Sequence, residues 1–177
     1  KNNKIIWRGV TTGYHDKYRN RRYILVSNYY NHKNKNIDIG FNSIVQNRND
    51  FKKYLKKPMT IEQQLKSKYI ISVEGNDVPS GLKWQLYSNS VVFMAKPKVS
   101  SWLMEDRLIP GVHYILLKDD YSDLEEKYNW ALNNEKECLK ISKNSKEYME
   151  QFLDKEKEDK ITNLIMEKYY QNVIFTN

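Results

Sequence analysis

Lys68-Tyr-Ile-Ile-Ser-Val-Glu-Gly-Asn-Asp-Val-Pro-Ser-Gly-Leu-Lys-Trp84 carries a strand, a turn and a helix start in one run. Tyr69 to Glu74 is almost continuously apolar and β-branched, the pattern of a strand buried on both faces of a parallel sheet. Gly75 to Ser80 is a polar turn. Pro79 has no N–H to lose and suits the first turn of a helix running to about Tyr87.

The same alternation extends outward in both directions. Ile5 to Val10 reads as a first strand, the basic stretch from Lys17 to Asn28 as a helix, and Asn36 to Phe41 as a short second strand. Thr60-Ile-Glu-Gln63 is a capping box, which opens a helix from Ile61 to about Lys66. Downstream, Ser90 to Met94 and Val112 to Leu117 read as strands. Ser122-Asp-Leu-Glu125 is a second capping box, for a helix through about Leu132. From Glu135 the pattern is helical, with Leu139, Ile141, Tyr148, Met149 and Phe152 as its apolar positions. The charge run Lys155 to Lys160 reads as a solvated face or hinge before a last amphipathic helix with Ile161, Leu164, Ile165 and Tyr169. The expected fold is α/β: a doubly wound, Rossmann-like parallel sheet over residues 1–153, with a helical C-terminal extension over 154–177.

Composition bounds the function. The chain has 177 residues, enough for one domain with a real core, and 40% hydrophobic with 29% charged residues is a globular profile. One cysteine, Cys138, excludes a disulfide framework and a zinc cluster and reads as a structural thiol. No apolar run reaches the roughly 20 residues that span a bilayer. The expected place is therefore the cytoplasm, with peripheral contact at the anionic inner face of a membrane. The chain starts at Lys1, directly before a core strand, and is expected to begin mid-protein. A net charge of +8 attracts polyanions of every kind and also fits an ordinary basic surface, so it selects no partner.

Sheets of this class bind ligands at the carboxyl ends of their strands. Two polar turns stand at such ends. In Trp7-Arg-Gly-Val-Thr-Thr-Gly13, followed by Arg19, Arg21 and Arg22, Arg8 can clamp a diphosphate while Gly9, Thr11 and Thr12 complete a cradle. A surface arginine in a glycine turn explains the same residues. In the 74–83 turn, Glu74 or Asp77 can accept hydrogen bonds from sugar hydroxyls beside Gly75, Asn76 and Ser80, with Lys83 as a phosphate counter-charge. A capped βα turn is the alternative there. Asp119-Asp120 has the look of a metal pair, but its place before a helix start is better explained by the helix dipole. His113 on an apolar strand reads as a packed residue. Trp84, Trp102 and Trp130 read as helical core positions, with Trp102 alternatively flanking a sugar.

The run 68–78, with Leu82-Lys-Trp84, Ser88-Asn-Ser90, Trp102-Leu-Met-Glu105 and Pro110-Gly-Val-His-Tyr114, resembles glycosyltransferase family 90, especially its bacterial lipopolysaccharide branch. Trp7-Arg-Gly9 with Thr11-Thr-Gly13 is similar to the family's upstream motif, and Asp119 to Leu124 to its downstream segment. The resemblance runs from about residue 4 to 153. It implies the C-terminal, donor-binding lobe of a two-lobed GT-B enzyme. It also implies inverting, metal-independent transfer of a sugar from a nucleoside diphosphate, UDP foremost, to a lipopolysaccharide or other glycan. No cofactor or metal is expected. By the match Arg8 holds the donor phosphates, Thr11 and Thr12 lie near them, and the 74–83 turn contacts nucleotide and sugar. Eukaryotic relatives carry a second arginine where this chain reads Ser80-Gly-Leu-Lys83, and Lys83 stands as its substitute. The catalytic base is expected outside the chain. The rival from another class is a basic single-stranded nucleic-acid module, resting on the charge, the tyrosines and the Lys/Arg/Asn-rich stretches at 17–35 and 48–57. No nucleic-acid motif supports it, and nucleic acid is not an expected partner.

Overall fold

A computed structural model of the chain describes residues 1–173; residues 174–177, the end of the expected C-terminal extension, lie outside the described residues. The chain runs β1 (Asn2–Val10), α1 (Arg21–Tyr29), β2 (Ile37–Ser43), a 3-10 turn (Asn49–Tyr54), α2 (Ile61–Gln64), β3 (Ser67–Ile71) and α3 (Leu82–Leu86). It continues through β4 (Val91–Ala95), a 3-10 turn (Glu105–Arg107), β5 (Ile115–Leu117), α4 (Leu124–Asn133), α5 (Glu135–Glu150) and α6 (Lys155–Asn172). The five strands form one sheet in the order β2-β1-β3-β4-β5, and every pairing is parallel. The expected α/β fold is observed.

Alternate strand residues feed cores on opposite faces, as the two-residue period requires. Val91 and Phe93 join a large cluster with Leu25 and Val26 of α1 and Leu124 and Tyr128 of α4. Val92 and Met94 join a smaller one with Leu82 and Leu86 of α3 and Met149 of α5. β3 lies at the centre, its Ile70 and Ile71 wholly buried. From β1 the chain first adds β2 on one side, then crosses to add β3 on the other. The β1/β3 border is thus the point where the strand order reverses, and the ligand crevice of such sheets lies there.

Several local expectations need correction. The ladder of β3 ends at Ile71, not Glu74, because the carbonyls of Val73 and Glu74 accept from the Arg22 guanidinium instead of a neighbouring strand. The helix expected from Lys17 starts only at Arg21, where the buried Asn20 accepts the Tyr23 amide and caps it. The Thr60 capping box forms, with both reciprocal bonds, over a four-residue helix. The Ser122 box does not. α4 starts one residue late, with Asp123 as its N-cap; Asp120 takes both the amide and the hydroxyl of Ser122, and the Asp123 carboxylate takes the Lys118 amide, so no side chain caps α4. β5 starts at Ile115, since 111–113 form a turn in which His113 Nδ1 accepts the Ile109 amide. Burial lowers the His113 pKa, as its packed role suggested. Trp102 and Trp130 are exposed rather than core residues, Trp102 lying in a turn. Leu139 is exposed, whereas Ile141 and Met149 are buried. Cys138 is buried against the Ala131 carbonyl, and burial pushes its thiol up to about 11. No side chain of α6 is buried, and among the described residues no helix is long and apolar enough to cross a membrane.

Candidate functional site

The turns that follow β1 and β3 interlock at the strand-order reversal. The Gly13 amide, at φ +125°, donates to Asn76 Oδ1 at 2.9 Å. Gly75 lies so close to its neighbours that a Cβ there would collide with Thr12 Oγ1 and sit 2.9 Å from the Arg22 Cζ. Only a glycine lets the two turns approach this closely.

Arg22, in the first turn of α1, stitches the strand ends together. Its Nη1 donates to the Val10 carbonyl at 3.0 Å, its Nη2 to Val73 at 3.1 Å and its Nε to Glu74 at 3.3 Å. Its charge has no carboxylate partner among the described residues. Desolvation by burial, only partly offset by Tyr121, pushes its pKa down to about 10. It remains a cation at neutral pH, half-buried, held by carbonyl dipoles and lying 5.9 Å from the centroid of the Trp7 ring.

Beside it opens a cleft of about 630 Å³, whose lining includes Arg19, Arg21, Glu74, Asn76, Asp77 and Asp119. Arg21 donates to Glu74 Oε2 and to Asp119 Oδ1, each at 2.6 Å. Lys98 completes the ring: its Nζ meets Asp119 Oδ2 at 2.8 Å and its amide donates to Glu74 Oε1 at 2.8 Å. Asp77 Oδ1 accepts the Val78 amide inside the turn, and α3 starts only at Leu82 with no side-chain cap, so Asp77 does not bond the helix amides as the capped-turn alternative required. Arg19 is exposed at the cleft, stacked 4.8 Å over the Tyr14 ring, with no ion-pair partner among the described residues. The loop that presents Tyr14 and His15 is clamped by Arg48, which donates to the carbonyls of Gly13, Tyr14 and His15.

The expected site residues thus divide. Arg21, Glu74, Gly75, Asn76 and Asp77 line the large cleft, and Arg8, Gly9, Arg22 and Ser80 line a smaller neighbouring one. Thr12 is packed between the turns. Thr11 is wholly buried, its hydroxyl bonded to both the amide and the carbonyl of Val45. Lys83 leaves the turn to sit 5.3 Å over the Trp102 ring. Arg8 gives all five of its N–H groups to the protein, two of them to the Asp38 carboxylate and the rest to the Trp7, Asp38 and Lys57 carbonyls. Lys56 joins the same carboxylate at 2.9 Å. Burial alone would raise the Asp38 pKa; the bonds from Lys56 and Arg8 outweigh it and hold the group below the usual range.

Lys98, Asp119 as an arginine partner, and Arg48 escape a sequence reading. Arg21 and Asp119 are 98 residues apart, and no local spacing announces their pairing. Among the described residues no group of three or more His, Cys, Asp or Glu side chains is disposed to hold a metal ion.

Comparison with known proteins shows the family. The family model described as Glycosyl transferase family 90 matches residues 1–174. The O-glucosyltransferase LpsA of Dichelobacter nodosus is 35% identical over 170 residues, covering 96% of this chain and 50% of that protein. Protein O-glucosyltransferase 2 of Danio rerio is 37% identical over 91 residues, 50% of this chain and 17% of its own length. A protein designated 179R of Invertebrate iridescent virus 6 is 31% identical over 105 residues, 56% of this chain and 9% of its own. The chain spans half the length of the bacterial relative and less of the others.

Proposed function

The chain belongs to glycosyltransferase family 90, and on that premise we propose that it binds a nucleoside-diphosphate sugar, UDP-linked, for transfer to a hydroxyl of a glycan. The observation that carries this reading is the uncompensated Arg22 at the strand-order reversal. In the reaction an acceptor oxygen bonds to the sugar C1, the bond from C1 to the diphosphate oxygen breaks, and the acceptor proton passes to a base. Negative charge gathers on the departing diphosphate. A cation already in place and short of a counter-charge stabilises that charge without reorganisation.

Arg19 adds a second available cation, and Asn76 and Asp77 offer acceptors to sugar hydroxyls. With cations of the chain at the diphosphate, the transfer needs no metal. Direct displacement at C1 inverts it. Glu74 and Asp119 are both tied to Arg21, so neither is disposed as the base, which we place in the remainder of the full enzyme. The names of two relatives point to glucosyl transfer to oxygen, and a lipopolysaccharide-type glycan is the acceptor to try first. The net charge of +8 suits peripheral work at an anionic cytoplasmic membrane face.

Calorimetry with UDP on the purified chain, beside a short oligonucleotide at two salt concentrations, tests the reading. UDP binds, and Arg22→Met weakens it roughly 10- to 150-fold, the worth of a charge-assisted hydrogen bond. The chain alone transfers no radiolabelled sugar. Absent UDP binding beside steeply salt-dependent oligonucleotide binding would overturn the proposal in favour of a nucleic-acid module.

A further inference from the structure

A second cleft, of about 260 Å³, opens where α2 and α3 meet the ends of β1 and β3, with Arg22, Ser72, Trp84 and Gln85 in its lining. Two of its polar atoms are orphans. Gln85 Oε1 and Ser72 Oγ are buried without a hydrogen-bond partner, in residues only 7% and 3% exposed. Buried polar groups are almost always satisfied. Two orphans lining one cavity therefore call for partners from outside the chain.

The surroundings restrict what those partners are. No carboxylate lines this cleft, its Arg8 is fully paired within the protein, and both orphans are neutral groups; Arg22, short of a counter-charge, stands where this cleft meets the larger one. Its apolar wall comes from Trp84, Pro79 and Ile61. The ligand group is therefore uncharged, has a face that packs on an indole, and presents an N–H or O–H edge to an amide and a hydroxyl. A nucleobase is read in this way, by hydrogen bonds to its edge and stacking on its face. The uracil imide N–H beside its carbonyl matches an amide that accepts and donates side by side. The larger cleft has the opposite character, with Glu74, Asp77 and Asp119 suited to sugar hydroxyls. Arg22 lines the smaller cleft and lies against Gly75, which lines the larger.

We infer that the smaller cleft is the base pocket of the donor site, with Gln85 and Ser72 reading the edge of the base. One donor then runs from the base at Gln85, past the diphosphate at Arg22, to the sugar in the larger cleft. This rests on the reading of the chain as a donor-binding module.

The test compares UDP with inorganic pyrophosphate, which shares the diphosphate and lacks the base, on wild type, Gln85→Leu and Ser72→Ala. Wild type binds UDP more tightly than pyrophosphate. Gln85→Leu weakens UDP about 10-fold and Ser72→Ala several-fold, the scale of one or two neutral hydrogen bonds, and pyrophosphate affinity stays as it was. Gln85→Leu also melts no lower than wild type, because it breaks no hydrogen bond and removes an unsatisfied one. The inference fails alone if wild type binds both ligands equally. It fails alone too if Gln85→Leu holds UDP unchanged, loses both ligands to the same degree, or melts several degrees lower. Wild type that binds neither ligand would overturn the donor reading and this inference with it.

Discussion

Gly75→Ala is the sharpest test of the interlocked turns. The substitution adds one methyl group at a position whose φ lies outside the left-handed region, so its cost is steric rather than conformational. The new Cβ would overlap Thr12 Oγ1 and approach the Arg22 Cζ and Nη2 to 2.9 Å each. Arg22 does not swing away freely, because three backbone carbonyls hold it. Thr12 Oγ1 is one bond from its own Cβ, so relief requires a change of Thr12 rotamer or a retreat of the β1 turn. Overpacking of this kind costs about 1–3 kcal/mol. For a domain of this size each kcal/mol lowers Tm by roughly 2–4 °C. Thermal unfolding of Gly75→Ala is thus expected to fall by several degrees, and UDP titration should show weaker binding as Arg22 is displaced. In a Thr12→Ala background one of the obstructing atoms is gone, and the penalty shrinks by at least about 0.5 kcal/mol, the non-additivity expected of residues in contact. Unchanged melting and unchanged UDP affinity in Gly75→Ala would refute the interlocking of the two turns and their joint role.

Arg8→Ala separates a sheet-holding arginine from a ligand-holding one. The Arg8 side chain is 6% exposed and Asp38 keeps Lys56 as a second partner, so the loss should be about 2–3 kcal/mol, below the roughly 3–5 kcal/mol that breaking a buried pair usually costs. Denaturant unfolding measures it, and stability within 0.5 kcal/mol of wild type, a change of about the surface-substitution scale, would return Arg8 to the ligand. High pH should unfold the protein early. Burial pushes Tyr69 up to about 12 and Cys138 up to about 11, and raises Tyr29, Tyr114, Tyr121, Tyr128 and Tyr148 as well. A raised folded pKa means stability that is whole below the unfolded value, near 10 for tyrosine, and lost as pH rises through the folded one. For Tyr69 alone that is about 3 kcal/mol. Arg22 works in the opposite sense, since its folded value of about 10 lies below the unfolded one and its burial cost eases above pH 10. One arginine against six tyrosines leaves a net fall, and a Tm that holds from pH 9 to 12 would contradict the buried hydroxyls.

Periodicity revealed the sheet because its inner strands β3 and β4 are buried on both faces and carry short apolar runs, Tyr69-Ile-Ile71 and Val91-Val-Phe-Met-Ala95. The Thr60 capping box was legible because nothing tertiary competes for its two side chains. The Ser122 box has the same pattern and fails, since Asp120 claims the Ser122 amide and hydroxyl and the helix starts one residue later. Trp102 and Trp130 mislead in a similar way, for a large apolar side chain says nothing about which face the rest of the chain leaves uncovered. The two site turns were legible in position, because polar turn residues at strand ends need only local spacing. Which of their candidate cations stays without a counter-charge was not.

Arg8 and Arg22 show why. Both are arginines near glycine beside the same two strands, and residue type ranks them alike. Arg8 stands inside β1, opposite Gly40 and diagonal to Asp38 in the β1/β2 register, so a neighbouring strand supplies its counter-charge. Gly40 leaves the space through which Lys56 reaches the same carboxylate. Arg22 stands in a helix start beyond the strand ends, where the sheet offers carbonyls but no carboxylate. A buried pair is satisfied and asks nothing of a ligand, whereas a desolvated charge without a partner gains most from an incoming anion. What marks a residue for anion binding here is therefore the absence of compensation. Compensation is a property of the register between strands and of contacts nearly a hundred residues apart, which a linear reading of either arginine does not contain.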